Sequence, residues 1–125
     1  MKKVINSEKA PAPIGPYSQA VKAGDTLYIS GQIALDQATG ELLTNSIEEE
    51  TEQVMKNLNY VLEKAGMNMS NIVKCSIFIT DMNNFAAINE VYGKYFTHDP
   101  PSRETVEVSG LPKGVNVEVS AIAIT

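Results

Sequence analysis

The 125-residue chain contains one cysteine, Cys75, one histidine, His98, and no tryptophan. A single cysteine excludes a disulfide framework within the chain. One cysteine and one histidine leave no cluster of the usual nitrogen and sulfur ligands, so no metal centre is expected within a chain. His98 falls in a loop, where it has no serine–histidine arrangement to join. Walker-type and dinucleotide glycine fingerprints are missing. No apolar run approaches the roughly 20 residues of a membrane-spanning helix. The N-terminal MKKVINSEKAP has two lysines but no apolar segment behind them, unlike a secretory signal, so a cytoplasmic location is expected. Positive charge is also short: 10 basic residues stand against 15 acidic ones, a net charge of −5. That balance makes nucleic acid an unlikely partner. It does not forbid a small anion, because one buried arginine reverses the field locally.

What is present suits one globular domain over residues 1–125, with 43% apolar residues and no linker or repeat. Lys2–Ile5 and Gln19–Lys22 read as short strands around the proline-rich loop EKAPAPIGPYSQ. TLYISGQIAL, Thr26–Leu35, alternates, with Leu27, Ile29, Ile33 and Leu35 on one face and Tyr28, Ser30 and Gln32 on the other. Gly31 interrupts it, a mark of a bulge or of another group's close approach. Ser46 with Glu49 forms a capping box, and Glu48 and Glu50 suit the positive end of a helix. Its apolar stripe is Val54, Leu58, Val61, Leu62 and Ala65, and Gly66 stops it. Asn71–Thr80 is the next strand, where Cys75 alternates in phase with Val73, Ile77 and Ile79 as a core thiol. Asp81 caps a second helix over DMNNFAAINEVYGKYF, with Phe85, Ile88, Tyr92 and Phe96 facing inward. Asn89 lies among them, where a buried amide needs partners. The pattern β-β-β-α-β-α-β-β predicts a two-layer α+β domain, one sheet covered on one face by two helices.

The final third, DPPSRETVEVSGLPKGVNVEVSAIAIT, carries the chemistry. Pro100 and Pro101 end the preceding element, and Arg103 stands at the mouth of an alternating strand. Two strands joined by LPKG predict an antiparallel hairpin that pairs Gly110 with Val115. That register sets Glu107 against Glu118, Thr105 against Ser120 and Arg103 against Ile122. It places Arg103, Thr105, Glu118 and Ser120 on one face, and Val106, Val108, Val117 and Val119 beneath the helices. Ile122 and Ile124 share the Glu118 side, which suggests a contact between copies. On these residues alone, Arg103 is either a solvated strand-end arginine or a fixed grip for an anion. Tyr17 is either a plug for the core edge or an aromatic offered by a proline-fixed loop.

The segments APAPIGPYSQAV, YISGQIALDQATGEL, VKCSIFITDMNNFAAINEVYGKYF and PSRETVEVSGLPKGVNVEVSAIA together resemble the Rid family, the RidA/YjgF proteins or reactive intermediate (enamine/imine) deaminases. The resemblance implies a chorismate-mutase-like, ferredoxin-like fold with one mixed sheet. It implies a homotrimer with sites in the clefts between subunits. The implied reaction is hydrolysis of 2-aminoacrylate, 2-iminobutanoate, 2-iminopropanoate and their relatives to 2-keto acids and ammonia. No cofactor is implied, although pyridoxal-phosphate enzymes such as serine/threonine dehydratases release these intermediates. By position, the substrate-carboxylate arginine falls on Arg103, the site glutamate on Glu118 and the site tyrosine on Tyr17. Ser30, Gly31 and Asn89 fall on pocket-lining positions. Thr105 stands where many members have a cysteine, which rules out a covalent cysteine mechanism there. Glu104 stands where many have a small residue; by alternation it points away from Arg103. Two other functions are open. One is non-catalytic binding of a small carboxylate such as a 2-keto acid by the same arginine pocket. The other is endoribonuclease action, a label some members of the family carry, against which the acidic balance and the lack of a basic, aromatic-interleaved groove count.

Overall fold

Helix α1, Ile47–Lys64, begins and ends where its sequence says it should. The Ser46 hydroxyl accepts from the Glu49 amide at 3.1 Å, which is the forward half of the expected capping box. At the other end Gly66 adopts φ +75°, and the Met67 and Gly66 amides bond back to Leu62 and Glu63. This left-handed turn closes the helix, and only glycine reaches it without cost. Val54, Met55, Leu58, Val61 and Leu62 are fully buried beneath the helix. Burial of each such side chain stabilises the fold by roughly 1.5–3 kcal/mol.

The structure is a computed structural model that describes all 125 residues. Six strands form one mixed sheet: β1 (Lys2–Ile5), β2 (Ala20–Ala23), β3 (Thr26–Gln32), β6 (Ile72–Ile79), β7 (Ser102–Glu107) and β8 (Val117–Ile124). Their spatial order is β1-β2-β3-β8-β6-β7. The two-residue strands β4 (Leu35–Asp36) and β5 (Glu41–Leu42) make a separate small hairpin. Helix α2, Phe85–Gly93, is shorter than its pattern predicts, because Asp81 caps a 3-10 turn, Met82–Asn84, ahead of it. Both helices cover one sheet face, and the core between the layers holds Leu27, Ile29, Cys75, Ile77, Ile79, Val117 and Val119. Cys75 is a core thiol, as its phase predicts.

The predicted hairpin does not form. β7 runs parallel to β6, pairing Arg103 with Cys75, Thr105 with Ile77 and Glu107 with Ile79. β8 lies on the other side of β6 and also pairs with β3, antiparallel to both. The chain therefore passes over the end of β6 between β7 and β8. Because Arg103 and Thr105 are in register with core residues of β6, they lie on the helix side of the sheet. Glu118 pairs with Phe78, and Ser120 with Ser76, on the opposite side. Val106 is exposed on that opposite face instead of under the helices, and Val108 is only half-buried. Two bulges correct smaller points. One lies between Ile72 and Lys74 and leaves Val73 exposed. The other lies between Ile29 and Gln32, at Gly31, and turns Gln32 to the core side opposite Val119.

Candidate active site

Arg103 sits on the edge strand under α2. Its Nη1 donates to Asn89 Oδ1 at 2.6 Å. Its guanidinium carbon lies 5.0 Å from the centre of the Tyr92 ring and 5.7 Å from that of Phe85. Those faces hold a cation well, so the planar group is oriented without being neutralised. The chain's one ion pair joins Lys74 to Glu104 at 3.3 Å on the other face. Half-buried Arg103 thus has no carboxylate partner. Glu104, which also bonds Ser76, points away from the arginine as alternation requires. Around Arg103, the Tyr92 and Thr105 hydroxyls are buried without hydrogen-bond partners. Burial pushes the neighbouring Cys75 thiol up, so it stays protonated and unreactive at neutral pH.

Glu118 occupies a different place. Tyr17, Ser30, Gly31 and Glu118 line a cleft of about 300 Å³ whose apolar wall includes Ile14 and Ile33. A Cβ at position 31 would lie 2.5 Å from Glu118 Oε2 and 2.6 Å from its Cδ. Glycine is needed there because the glutamate side chain lies flat against the bulged backbone. Desolvation pushes the Glu118 carboxyl above the usual carboxylate range. No basic side chain pairs with it. Ser30 does not point freely into the cleft: its hydroxyl donates to the Ser18 carbonyl at 2.7 Å and its amide to the Gln19 carbonyl at 2.9 Å. These bonds tie β3 to the loop that carries Tyr17, whose ring is half exposed.

The residues singled out in the sequence therefore form two groups. Tyr17, Ser30, Gly31 and Glu118 come together in the cleft. Arg103, Asn89 and Thr105 come together beneath α2, on the other side of the sheet. Within one chain the two groups do not meet.

Sequence reasoning missed the side chains that hold these groups in place. Gln19 is buried, accepts from the Ser7 amide at 2.7 Å, and donates to the carbonyls of Ser7 and Pro11 at 3.0 Å each. Phe85 and Tyr92, assigned only to the core, also flank the arginine. Glu50, read only as a helix-start charge, is fully buried. A signal did exist for it: Glu50, Gln53 and Asn57 repeat at helical spacing beside the apolar stripe. No group of three His, Cys, Asp or Glu side chains is arranged to hold a metal ion, and no helix is long and apolar enough to cross a membrane.

Residues 7–125 match the family model described as endoribonuclease L-PSP. A RutC family protein of Pyrococcus horikoshii is 50% identical over 98% of both chains. The mouse protein named 2-iminobutanoate/2-iminopropanoate deaminase is 46% identical, over 99% of this chain and 92% of its own. Among solved structures, the Rid family protein YyfA of Yersinia pestis superposes with a TM-score of 0.97 at 48% identity, over the whole of both chains. That likeness agrees with the α+β arrangement expected from the sequence.

Proposed function

Because the chain belongs to the endoribonuclease L-PSP family, the Rid or RidA/YjgF family, we propose that it is a 2-iminobutanoate/2-iminopropanoate deaminase. It hydrolyses short 2-imino acids, and the enamines in equilibrium with them, to 2-keto acids and ammonia. One observation carries this reading: the chain holds an oriented cation without an anion, Arg103, and a desolvated acid without a cation, Glu118. A 2-imino acid supplies what each lacks. Its planar carboxylate suits the guanidinium fork, which forms two parallel hydrogen bonds that a lysine cannot. Its imine carbon accepts a water held by the glutamate.

The sheet separates the two groups, so a second copy must complete the site. The Glu118 cleft of one copy docks beside the Arg103 edge of the next. Such a head-to-tail contact makes a ring where its rotation closes, and a ring of three copies is what the resemblance to the Rid family implies. Exposed Tyr28, Val106 and Ile124 on the helix-free side of the sheet provide apolar surface for that contact.

Chemistry then follows from position. Arg103, steadied by Asn89, anchors the carboxylate and aims C2 at the water. Glu118 accepts a water proton as the hydroxyl adds to C2 and the C=N electron pair moves to nitrogen. Starting from the protonated imine, that proton passes back to the amine nitrogen. As the C–N bond breaks with its electron pair going to nitrogen, the C2 hydroxyl gives its proton to Glu118 and its oxygen closes the carbonyl. Glu118 hands the proton to the departing ammonia, leaving ammonium and a 2-keto acid. Burial suits Glu118 to this exchange, because a raised carboxyl holds and releases a proton nearer neutral pH. Tyr17 covers the mouth and donates from its hydroxyl. No cofactor is needed, and the reaction follows any pyridoxal-phosphate dehydratase that releases such an intermediate.

The deciding experiment follows ammonia and pyruvate from 2-iminopropanoate generated in place. Acceleration over the uncatalysed rate, lost in Arg103→Ala, supports the deaminase. No acceleration, with pyruvate still bound through Arg103, leaves a carboxylate-binding protein instead. RNA cleavage that survives Arg103→Ala and stringent purification would favour the endoribonuclease.

A further inference from the structure

Helix α1 buries a polar seam beside its apolar stripe: Glu50, Gln53 and Asn57. Asn57 donates to the carbonyls of Ile33 and Leu35, each at 2.9 Å, and accepts from Gln53 Nε2 at 3.0 Å. This grips the backbone of the wall that carries Ile33. About two turns earlier, Glu50 grips the opposite wall. Its Oε2 accepts from the Asn116 amide at 2.7 Å and the Val117 amide at 3.1 Å, and its Oε1 accepts from Asn116 Nδ2 at 2.8 Å.

Glu50 is out of proportion to a packing role. It is completely buried, and burial of a carboxyl group is unfavourable unless its oxygens are filled. An apolar residue would pack at lower cost. Its donors are not the free amides of its own helix start, where acidic residues usually serve. They belong to two consecutive residues, Asn116 and Val117, immediately before Glu118. That stretch has no hairpin partner, since β7 lies beyond β6, and β3 pairs with β8 only as far as Val119. Of the strands only β6 aligns it, through Val117 opposite Ile79 and the Thr80 amide donating to the Asn116 carbonyl. The chain arrives there from a turn in which Lys113 and Gly114 both have positive φ, +57° and +70°. The direction in which β8 starts is therefore set from two sides, by β6 and by Glu50 of α1.

We propose that Glu50 is a positioning residue for Glu118: by holding the amides of Asn116 and Val117, it fixes the backbone from which Glu118 enters the cleft. The proposal rests on the deaminase reading, in which Glu118 moves the proton. Glu50 touches neither substrate nor water. Its loss should change the chemical step and leave carboxylate capture by Arg103 alone.

Two substitutions separate this from a purely structural role. In Glu50→Leu the size is kept and the acceptors are lost. In Glu50→Gln one oxygen still accepts both backbone amides, and the new NH₂ meets Asn116 once that side-chain amide turns over. For Glu50→Leu the expected result is a fall in kcat of about tenfold with KM within about twofold, the signature of a misplaced catalytic group. Glu50→Gln should restore kcat to within about threefold of the native value, because backbone aim is kept. Carbon-13 NMR titration of the Glu118 carboxyl gives a readout independent of turnover. Its midpoint, raised in the native protein, should relax toward an ordinary glutamate in Glu50→Leu and stay raised in Glu50→Gln. If Glu50→Leu does not fold, Glu50→Asp carries the same test, being one methylene too short to reach all three donors. A folded Glu50→Leu, or Glu50→Asp in its place, with native kcat and native Glu118 titration would overturn the proposal. If the native protein releases no ammonia, the deaminase reading falls, and the titration still decides whether Glu50 positions Glu118.

Discussion

The Arg103 and Glu118 halves of the candidate site are built by different means. Arg103 is held by side chains: two aromatic faces, Phe85 and Tyr92, and the amide oxygen of Asn89, all from α2 and the last of them 14 residues earlier in sequence. Glu118 is held by backbone: a bulge at Gly31, the tethered loop before Gln19, and the amides gripped by Glu50. The cation needs orientation but keeps its charge in any setting, so ring faces suffice. The acid needs partial desolvation to tune its proton affinity, and only several chain segments closing together provide that. One half therefore depends on a few contacts, whereas the other depends on the whole surrounding fold.

The strongest way to break this comparison is to remove the cation. Arg103→Lys should lower kcat/KM by at least about tenfold, and Arg103→Ala by more, since a charge-assisted pair is worth about 1.5–3 kcal/mol and about 1.4 kcal/mol is one decade. Thermal unfolding should shift little in either variant. Near-native turnover in Arg103→Ala with the assembly intact would return Arg103 to a surface role.

Mixing sharpens the comparison further. Arg103→Ala and Glu118→Gln should each be inactive alone. Unfolded together in equal amounts and refolded, they should regain activity at about a quarter of their interfaces, the share expected if each site takes one group from each copy. Absence of any recovery would mean that both groups act from one chain. In that case sedimentation should also find a fully active monomer, against the trimer expected here.

Gly31→Ala comes next. Its new methyl meets a flexible glutamate side chain, not backbone, so Glu118 swings away and the fold survives. Activity should fall by about tenfold or more with little change in Tm, because displacing a reacting group by an ångström has that effect. A variant that lost Tm and activity in parallel would contradict the close approach.

A smaller effect concerns pH and stability. The folded Glu118 carboxyl is raised, so the folded state binds its proton more tightly than the unfolded chain does. Its ionisation therefore costs stability as pH rises through the window between the unfolded and folded values, and the full cost persists above it. Glu118→Gln should be slightly more stable than the native protein at neutral pH, and the gap should close as pH falls below the ordinary glutamate range. Differential scanning calorimetry across that range checks the sign. Cys75→Ser should have the least effect on function: turnover near native, with a stability loss of about 1–3 kcal/mol for a buried hydroxyl. Loss of activity in a well-folded Cys75→Ser would give the thiol a role that its burial denies.

Much of the molecule was legible beforehand because it depends on neighbours in sequence. The α1 boundaries follow from Ser46 and Gly66, the core phase of Cys75 from strand alternation, and the need for a small residue at Gly31 from its interruption of β3. Asn89 stood out as an amide on an apolar helix face, and its partner proved to be Arg103. Less was visible where a side chain's partner lies far along the chain. Glu50 reads as an ordinary acid in a first helical turn until Asn116, 66 residues later, is brought against it.

Residue types and local periods by themselves determined the two helices, the six main strands, the apolar stripe of α1 and the residues that carry the Rid-family likeness. Tertiary structure alone decided which strands are neighbours. Alternation states which residues of β7 share a face, but not which face, because that depends on the strand it pairs with. LPKG between two apolar strands favours a hairpin locally. Burying the valine side of β8 between β3 and β6 removes more apolar surface from water than an edge hairpin would. The chain therefore inserts β8 at the centre of the sheet and leaves β7 at the edge. That one pairing choice put Arg103 and Glu118 on opposite faces.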